Sequence, residues 1–378
     1  MAFSKLMNIC IIKMRKKGFF IFLLSVSMLF SVQVSKAQVK YSNEFLAIGV
    51  GARSLAMGNS TVASINDVTA AYWNPAGLTR IESDWDLGLM HSEYFAGIAK
   101  YDYGAAAYKY SDSLAFALSI IRFGVDDIPN TLELIDSEGN LRYDRITSFS
   151  ATDLAFLFTI AKVSNIKGLR YGANIKLIRR TAGDFASAWG FGIDLGAQYA
   201  TGNWEFGATA KDVTTTFNAW SFNTDDLKDV FELTGNEIPE NSIEYTMPRV
   251  IVGAAYGHHI YKGVSAKGEL GIDFTFDGLR NVAVKSDYMS MDPHFGLEID
   301  YKKIVFLRAG VNNIQEAKTF NSVKEVTWQP NIGVGFHFWK LTLDYAFTDI
   351  GDQSVALYSH VFSLRLAISK PKVSATRM

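Results

Sequence analysis

The residue types most often used in catalysis and metal binding are scattered along this chain. Its six histidines include no His-Glu-x-x-His pair and no other spacing typical of a metal site. No serine occupies the Gly-x-Ser-x-Gly turn of a hydrolase. Gly49-Val50-Gly51 lacks the preceding strand and the following spacing of a dinucleotide-binding loop, so we interpret these glycines as turn residues. We therefore predict no catalytic, cofactor-binding or metal-binding residues, and a protein that is not an enzyme.

Charged residues instead recur at every second position of several segments, opposite an apolar row. In 264–274 the charged row holds Lys267, Glu269 and Asp273, and the period of two is that of a β-strand. Because the two signs are mixed, we predict that these charges pair with one another inside the folded protein and do not form a selective ion path. The full row comprises Arg170, Lys176, Asp194, Glu205, Lys267, Glu269, Asp273, Glu298, Asp300, Arg308, His337, Asp344 and Arg365.

The connections between the alternating segments are long and short in turn. About 14 segments of roughly 7 to 11 residues follow Trp85; short gaps include 111–113 and 302–304, and long gaps include 124–152 and 211–249. Outer-membrane barrels have short periplasmic turns, long external loops and aromatic residues at the strand ends. A soluble β-sandwich, with its apolar face inward, is the alternative. We predict an all-β fold, a transmembrane antiparallel β-barrel of about 14 strands over residues 85–369, followed by a polar tail at 370–378.

The N-terminus has the three parts of a secretory signal peptide. Three basic residues at 15–17 precede an apolar run at 18–30 and a small-residue cleavage site at 35–37. A membrane helix is the alternative, but the run is short of the roughly 20 residues needed to span a bilayer. We predict that residues 1–37 are a cleaved signal peptide and that the protein lies in the outer membrane, in contact with its lipid. The formal net charge of -1 gives no indication of nucleic-acid binding.

Residues 38–84 do not alternate and precede the first strand. Asn66 or Asp67 could cap a short helix, and Pro75 with Gly77 would end it. We predict that this region folds back into the barrel lumen as a hatch.

The longest predicted loop, 211–249, contains several aromatic residues among acids. A short amphipathic helix is expected at 225–233. We interpret these aromatic side chains as packing back onto the mouth of the barrel. Exposed aromatic side chains can also form a docking patch, so Trp220, Phe222 and Phe231 are the candidate partner-docking residues.

Four motifs make the chain recognisable: Glu44-Phe45-Leu46, Gly51-Ala52-Arg53, Ala56-Met57-Gly58 and Tyr72-Trp73-Asn74-Pro75-Ala76-Gly77-Leu78. Together they resemble the PorV/PorQ family of Bacteroidetes outer-membrane proteins, which are related to the FadL long-chain fatty-acid transporters. The resemblance implies a FadL-like barrel with an N-terminal hatch. The hatch motif would comprise Gly51, Arg53, Gly58, Trp73, Asn74, Pro75 and Gly77.

The same resemblance implies a function. The family is associated with type IX secretion, so the chain would bind or hand over secreted proteins, with secretion components or cargo proteins as partners. The alternative is a FadL-like passive channel for small hydrophobic molecules across the outer membrane.

Overall fold

A computed structural model describes residues 42–95, 97–136, 138–224, 228, 237, 239–318, 324–349 and 358–369. The predicted signal peptide and the polar tail lie outside these residues. So does the helix expected at 225–233, apart from Lys228. No helix in the described ranges is long and apolar enough to cross a membrane.

Antiparallel strands make up most of the described chain. Their bounds are β1 (Trp85–Tyr94), β2 (Ala99–Ser111), β3 (Leu114–Asn130), β4 (Thr147–Val163), β5 (Leu169–Ala182), β6 (Ala186–Thr201), β7 (Trp204–Lys211), β8 (Thr216–Phe222), β9 (Ser242–Thr246), β10 (Arg249–Tyr261), β11 (Val264–Thr275), β12 (Val284–Lys285), β13 (Ser290–Tyr301), β14 (Val305–Lys318), β15 (Lys324–Phe338), β16 (Leu341–Asp349) and β17 (Tyr358–Ile368).

Fourteen of the described strands close a ring. Strands β1 to β7 are followed round the ring by β10, β11, β13 and then β14 to β17, and β17 pairs back onto β1. Beyond β7 and β10 the wall continues through β8, which pairs with β6 and β9. The predicted FadL-like, 14-stranded antiparallel barrel is confirmed.

The apolar row of each strand lies on the outside of the ring. Leu118, Leu270 and Phe295 are 52%, 52% and 47% exposed, whereas Lys176 and Glu269 are buried inside. This orientation is the reverse of a soluble sandwich, whose apolar faces pack against each other. Lipid can cover such an outer face, and a closed ring leaves no unpaired strand edge in it.

Tight turns connect the strands at one end of the ring, at the positions expected from the sequence. Aromatic pairs surround this end: Trp85 packs on Tyr108 with ring centroids 4.6 Å apart, and Trp204 on Tyr256 at 4.9 Å. The ring strands, at 8 to 17 residues, are longer than expected. The difference arises because backbone pairing continues past the apolar belt. There the residues no longer alternate between apolar and polar, so the sequence does not show the strand ends.

Residues 42–84, called the N-terminal segment from here on, contain four short helical elements. These are a 3-10 turn (Glu44–Leu46), α1 (Ala52–Ala56), α2 (Ala70–Trp73) and a second 3-10 turn (Pro75–Arg80). The predicted helix cap at Asn66 or Asp67 is wrong: α2 follows Thr69, and the Asp67 carboxylate accepts hydrogen bonds from the Thr69 amide and hydroxyl. Burial and the ion pair that Asp67 makes with the barrel wall account for this difference. A further 3-10 turn, Tyr143–Arg145, lies between β3 and β4.

Replacing Leu270 by Arg tests whether lipid covers the outer face. Leu270 lies near the middle of β11 and is exposed, so an arginine there should lower the free energy of unfolding from lipid vesicles by about 2–4 kcal/mol. The measurement is a denaturant titration followed by tryptophan fluorescence. Tyr288→Arg is the matched control, because Tyr288 is 87% exposed and lies between β12 and β13. Equal stability of the two variants would contradict a lipid-covered outer face.

Candidate functional site

The N-terminal segment lies inside the ring and contacts strands on opposite sides of it. Helix α1 packs against β14 to β17, and the 3-10 turn Pro75–Arg80 packs against β2 to β6. Val62 lies against β7 and β10. The segment therefore fills the lumen at this level, and any passage through the barrel has to go around it or displace it.

Inward-facing glycines of the wall make room for the segment. A Cβ atom at Gly296 would lie 2.5 Å from the Met57 carbonyl oxygen, and one at Gly207 would lie 2.3 Å from the Val62 carbonyl oxygen. Such separations are too short for any side chain, so the wall is shaped to fit the segment backbone. Gly172 and Gly310 come equally close to the segment backbone, whereas Gly88, Gly196, Gly253 and Gly333 come close to side chains of the segment.

Arg53 of the predicted hatch motif connects the segment to a chain of buried charges. Its Nε atom lies 2.9 Å from Glu298 Oε2, and Arg308 Nε donates to the same oxygen at 2.7 Å. Arg308 Nη1 in turn donates to Asp344 at 2.7 Å. The charges alternate in sign along this chain, and removing one member of a buried pair typically costs about 3–5 kcal/mol.

Two further ion pairs hold other sides of the segment. Asp67 Oδ2 lies 3.0 Å from Arg365 Nη1, and Arg80 Nη2 donates to Glu205 Oε1 at 2.5 Å. Burial alone would raise the pKa of the Asp67 carboxyl, but Arg365 and Arg53 hold it below its ordinary value. The segment is thus anchored by charge on three sides, and much of the charged row predicted from the sequence is paired as expected.

The remaining motif residues shape the segment itself. Trp73 Nε1 donates to the Val50 carbonyl at 2.8 Å, and Asn74 Nδ2 donates to the carbonyls of Val62 and Ala197 at 2.9 and 3.0 Å. Asn74 also caps the 3-10 turn that Pro75 begins, by accepting from the Ala76 amide. These bonds satisfy buried backbone groups that would otherwise be unpaired.

The three motif glycines stand where a side chain has no space. A Cβ atom at Gly58, whose φ is +59°, would lie 2.7 Å from the Val311 amide nitrogen in β14, and one at Gly77 would lie 2.5 Å from the Ile65 carbonyl oxygen. Gly51 has a φ of +84°, and its amide points to the Met90 sulfur at 2.9 Å. The seven motif residues therefore belong to one packed unit, and its action as a moving hatch stays a prediction.

A vestibule of about 660 Å³ lies between the segment and the end of the ring away from the tight turns. Its lining combines two kinds of side chain. One kind is apolar and includes Phe45, Ile48, Leu55, Trp73 and Phe123. The other kind comprises seven carboxamides, called the amide cluster from here on: Asn59, Asn281, Asn312, Asn313, Gln315, Gln329 and Asn331.

The barrel wall is interrupted on one side. Strand β7 ends at Lys211 and β8 begins at Thr216, while β9 ends at Thr246 and β10 begins at Arg249. Both gaps are at the same height, because Lys211 pairs with Arg249 and Thr216 with Thr246. Residues 212–215 and 247–248 are called the wall interruption from here on.

Buried charges hold the shape of the wall interruption. Lys176 Nζ lies 2.8 Å from Asp194 Oδ1 and also contacts Asp212. The Asp212 amide donates to Asp194 Oδ1 at 2.9 Å, and the Val213 amide donates to the Ile193 carbonyl at 2.9 Å. The gap in the ladder is therefore a defined turn, with its inner side lined by polar groups.

A smaller cavity of about 50 Å³ adjoins the wall interruption. It shares Glu44, Ala47, Arg249 and Arg280 with the lining of the vestibule. Arg280 Nη2 lies 2.9 Å from Glu44 Oε1. This ion pair, together with the start of the N-terminal segment, therefore stands between the vestibule and the gap in the wall.

The wall interruption lies within the long external loop predicted at 211–249, and the sequence pattern did not indicate it. Trp220 and Phe222 belong to β8, so their predicted loop location is wrong. Trp220 Nε1 donates to Glu244 at 2.8 Å, and the Arg180 guanidinium lies 5.1 Å from its ring centroid. Phe231 lies outside the described residues. The alternation of residues 216–222 and 242–246 was the sequence pattern that could have indicated these two strands.

The buried histidine of the lumen takes part in a polar contact. His294 Nδ1 lies 2.7 Å from the Ser60 hydroxyl, and His294 Nε2 lies 3.3 Å from Asp273 Oδ1. It thereby links the segment to β11 and β13. In the described part of the chain no three His, Cys, Asp or Glu side chains are grouped so as to hold a metal ion.

Solved structures similar to this chain are outer-membrane transporters. The toluene transporter TodX of Pseudomonas putida is 14% identical, with 85% of this chain and 99% of that chain covered and a TM-score of 0.54. The CymD monoaromatic hydrocarbon channel is 14% identical, with 85% and 98% covered and a TM-score of 0.51. A FadL homologue from Pseudomonas aeruginosa is 12% identical, with 84% and 97% covered and a TM-score of 0.48.

The first two similarities establish the fold and extend over nearly the whole length of those proteins. No family model matches the chain, and no curated protein is significantly similar to it in sequence. The chain thus has the architecture of outer-membrane hydrocarbon transporters, while its narrower PorV/PorQ resemblance stays a prediction.

Replacing Gly296 by Val tests the fit between segment and wall. The new side chain would collide with Met57, so we expect the segment to leave its place while the ring stays closed. Trypsin should then cleave after Arg53 and Arg80, whose side chains are only 14% and 16% exposed. The measurement is limited proteolysis, with heat-dependent gel migration as the readout of an intact barrel.

Gly268→Val is the matched control for this experiment. Gly268 lies on β11, and an added Cβ would meet its nearest neighbour, Phe295, at 3.8 Å, an ordinary contact. Protease resistance should therefore be unchanged. If Gly296→Val also keeps the resistance, the close approach does not hold the segment in place.

Proposed function

We propose that this chain is an outer-membrane channel through which small hydrophobic molecules pass passively, and that its signal peptide is removed on export. The proposal rests mainly on one observation: a vestibule and a wall interruption approach each other inside a barrel of the hydrocarbon-transporter type. The similar proteins TodX and CymD are named for toluene and monoaromatic hydrocarbons, which supports a solute of this class. Outer-membrane lipid and the solute are then the partners.

The proposed route leaves the barrel sideways. Phe217, Ile243 and Tyr245 lie in β8 and β9, beyond the wall interruption, and are 41%, 57% and 44% exposed. Apolar surface therefore extends past the gap, and a solute leaving there enters hydrocarbon. Burying its surface is favourable by about 25 cal/mol per Å², whereas the route straight down the lumen is blocked by the segment and its ion pairs.

The side of the segment that faces the gap is held most weakly. Ser42 Oγ lies 2.8 Å from Thr246 Oγ1, and Asn43 Nδ2 donates to the same oxygen at 2.7 Å. Neutral hydrogen bonds contribute about 0.5–1.5 kcal/mol each, less than the buried charge pairs on the other sides. The ion pair that does lie here involves Glu44, whose side chain is 40% exposed, so solvent weakens it. In this proposal, residues 42–47 move and the rest of the hatch stays.

A disulfide between the segment and the wall tests this movement. Ser42→Cys with Thr246→Cys should form one, because the two hydroxyl oxygens are 2.8 Å apart. Oxidation should slow toluene uptake into a bacterial host without its own hydrocarbon channel by about tenfold or more, because the open state is no longer populated. A reductant should restore uptake.

A second disulfide provides the control. Val68→Cys with Gly88→Cys tethers the segment to β1, since a Cβ at Gly88 lies 3.9 Å from the Val68 Cβ, within the range of disulfides. Uptake should be the same with this bond oxidised or reduced. Equal slowing by both disulfides would mean that the whole segment moves, and slowing by neither would rule out the sideways route.

A second candidate function is the binding or handing over of proteins in type IX secretion. It is supported by the resemblance of the Gly51–Arg53 and Trp73–Gly77 motifs to the PorV/PorQ family and by Trp220 and Phe222 in β8, beyond the wall interruption. In this function the lumen can stay closed. Secretion components or cargo proteins would be the partners, with Trp220, Phe222 and Phe231 as the docking residues.

Replacing Trp220 and Phe231 by Ser tests the docking residues. If they bind a partner, the double variant should recover about tenfold less of the secretion components in affinity purification from native outer membranes, since buried aromatic residues commonly contribute 2 kcal/mol or more to an interface. Heat-dependent gel migration should show an assembled barrel. Tyr288→Ser, at an exposed aromatic residue outside this set, is the control. Unchanged recovery would exclude these residues as a docking patch.

A further inference from the structure

The vestibule has a chemistry that a channel for pure hydrocarbons does not require. The amide cluster brings together side chains from the N-terminal segment, the β11–β12 connection, β14 and β15. Asn331 Nδ2 donates to Asn312 Oδ1 at 2.8 Å, and Asn281 Nδ2 donates to Gln315 Oε1 at 3.1 Å. Carboxamides carry both donors and acceptors and no charge, so the cluster forms a neutral surface that can hydrogen-bond in both directions.

Two oxygens in the lining of the vestibule lack hydrogen-bond partners among the described residues. They are Asn59 Oδ1 and Asp292 Oδ1, and both are buried. Leaving such an acceptor unpaired destabilises the folded protein. Both atoms can only accept and are covered by neighbouring groups, so a ligand that satisfies them must bring hydroxyl or N–H donors and displace the side chains that cover them.

The charges of the vestibule argue against an anionic ligand. Its two arginines face acidic partners: Arg280 pairs with Glu44 at 2.9 Å, and Arg249 Nη2 lies 3.5 Å from Asp273. Asp292 adds a carboxylate for which no ion pair is found within the described ranges. An anionic head group would meet this carboxylate without a free cation to receive it, whereas hydroxyl groups would donate to it.

We propose that the vestibule binds a neutral amphiphile whose head group carries several hydroxyl groups, as in an alkyl glycoside. The head group would lie against the amide cluster and Asp292, and the tail against the apolar side chains of Phe45, Ile48 and Phe123. The inference names a class of solute for the proposed channel. It rests on the channel function only for the passage of the solute after it has bound in the vestibule. The two ideas can therefore fail separately.

A matched series of hexyl compounds tests the head-group preference. The protein is placed in phosphatidylcholine nanodiscs and titrated by calorimetry with hexyl glucoside, hexanoate and hexylamine, and empty nanodiscs give the blank. Hexyl glucoside should bind about tenfold more tightly than either charged probe, corresponding to one or two additional hydrogen bonds. Equal affinities would mean that the tail alone is recognised, and tightest binding of hexylamine would mean that the Asp292 charge dominates; either result overturns the proposal.

Two variants assign the binding to the vestibule. Gln329→Leu removes an amide whose side chain makes no hydrogen bond to the described residues, and Asp292→Asn keeps the shape of the carboxylate while removing its charge. Each should weaken hexyl glucoside binding by about three- to tenfold. Asn203→Leu, in the tight turn before β7, is the control and should bind normally. Unchanged binding in both vestibule variants overturns the assignment.

Toluene uptake by the same variants separates this inference from the channel function. Normal toluene uptake combined with no glucoside binding would overturn this inference and leave the channel function standing. Glucoside binding without uptake of any hydrophobic probe would leave the binding site standing and contradict the channel.

Discussion

The hydrocarbon of a membrane offers no hydrogen-bond partners to a polypeptide backbone. This constraint determines that the strands close into a ring and that the ring has a lumen to be filled. The strands must close into a ring. In a barrel of eight strands, side chains alone can fill the interior, but a ring of 14 strands is wider. The N-terminal segment occupies the remaining space. Its backbone comes so close to the wall that glycine is required at positions such as Gly207 and Gly296. The closed ring and the filled lumen thus both follow from the hydrocarbon that surrounds the barrel.

In the proposed channel the segment has to block the lumen and still move on one side, and the contacts that hold it are consistent with this. Charges that are buried in pairs, such as Arg53 with Glu298, resist separation because each partner alone would be poorly solvated. Hydrogen bonds between neutral groups, such as those to Thr246, separate more readily because water can replace them. The distribution of these two kinds of contact around the segment favours local movement at the wall interruption over release of the whole segment.

The period-two pattern of the sequence predicted the strands, but a soluble sandwich would show the same pattern. The export signal, the alternating connection lengths and the aromatic residues at the strand ends were needed to predict a membrane barrel. The period-two pattern could not predict the wall interruption, because the four residues at 212–215 resemble any polar turn. Only the pairing of Lys211 with Arg249 and of Thr216 with Thr246 shows that two gaps lie at the same height. Trp220 was placed in a loop for a related reason: its strand is short and lies beyond that gap. The motif residues could be identified as a group, but the partners they contact come from distant strands.

A polar lumen and a hydrophobic solute are compatible if the solute never crosses the full lumen. Strand β7 has eight residues before the wall interruption, fewer than the 9 to 11 that a tilted strand needs to cross a bilayer, so the gap opens within the apolar belt. A solute that enters the vestibule then needs to pass only the Arg280–Glu44 pair and the start of the segment before it reaches lipid. In the proposed channel the vestibule can therefore be amphipathic, with the amides contacting a head group and the apolar side chains contacting the tail.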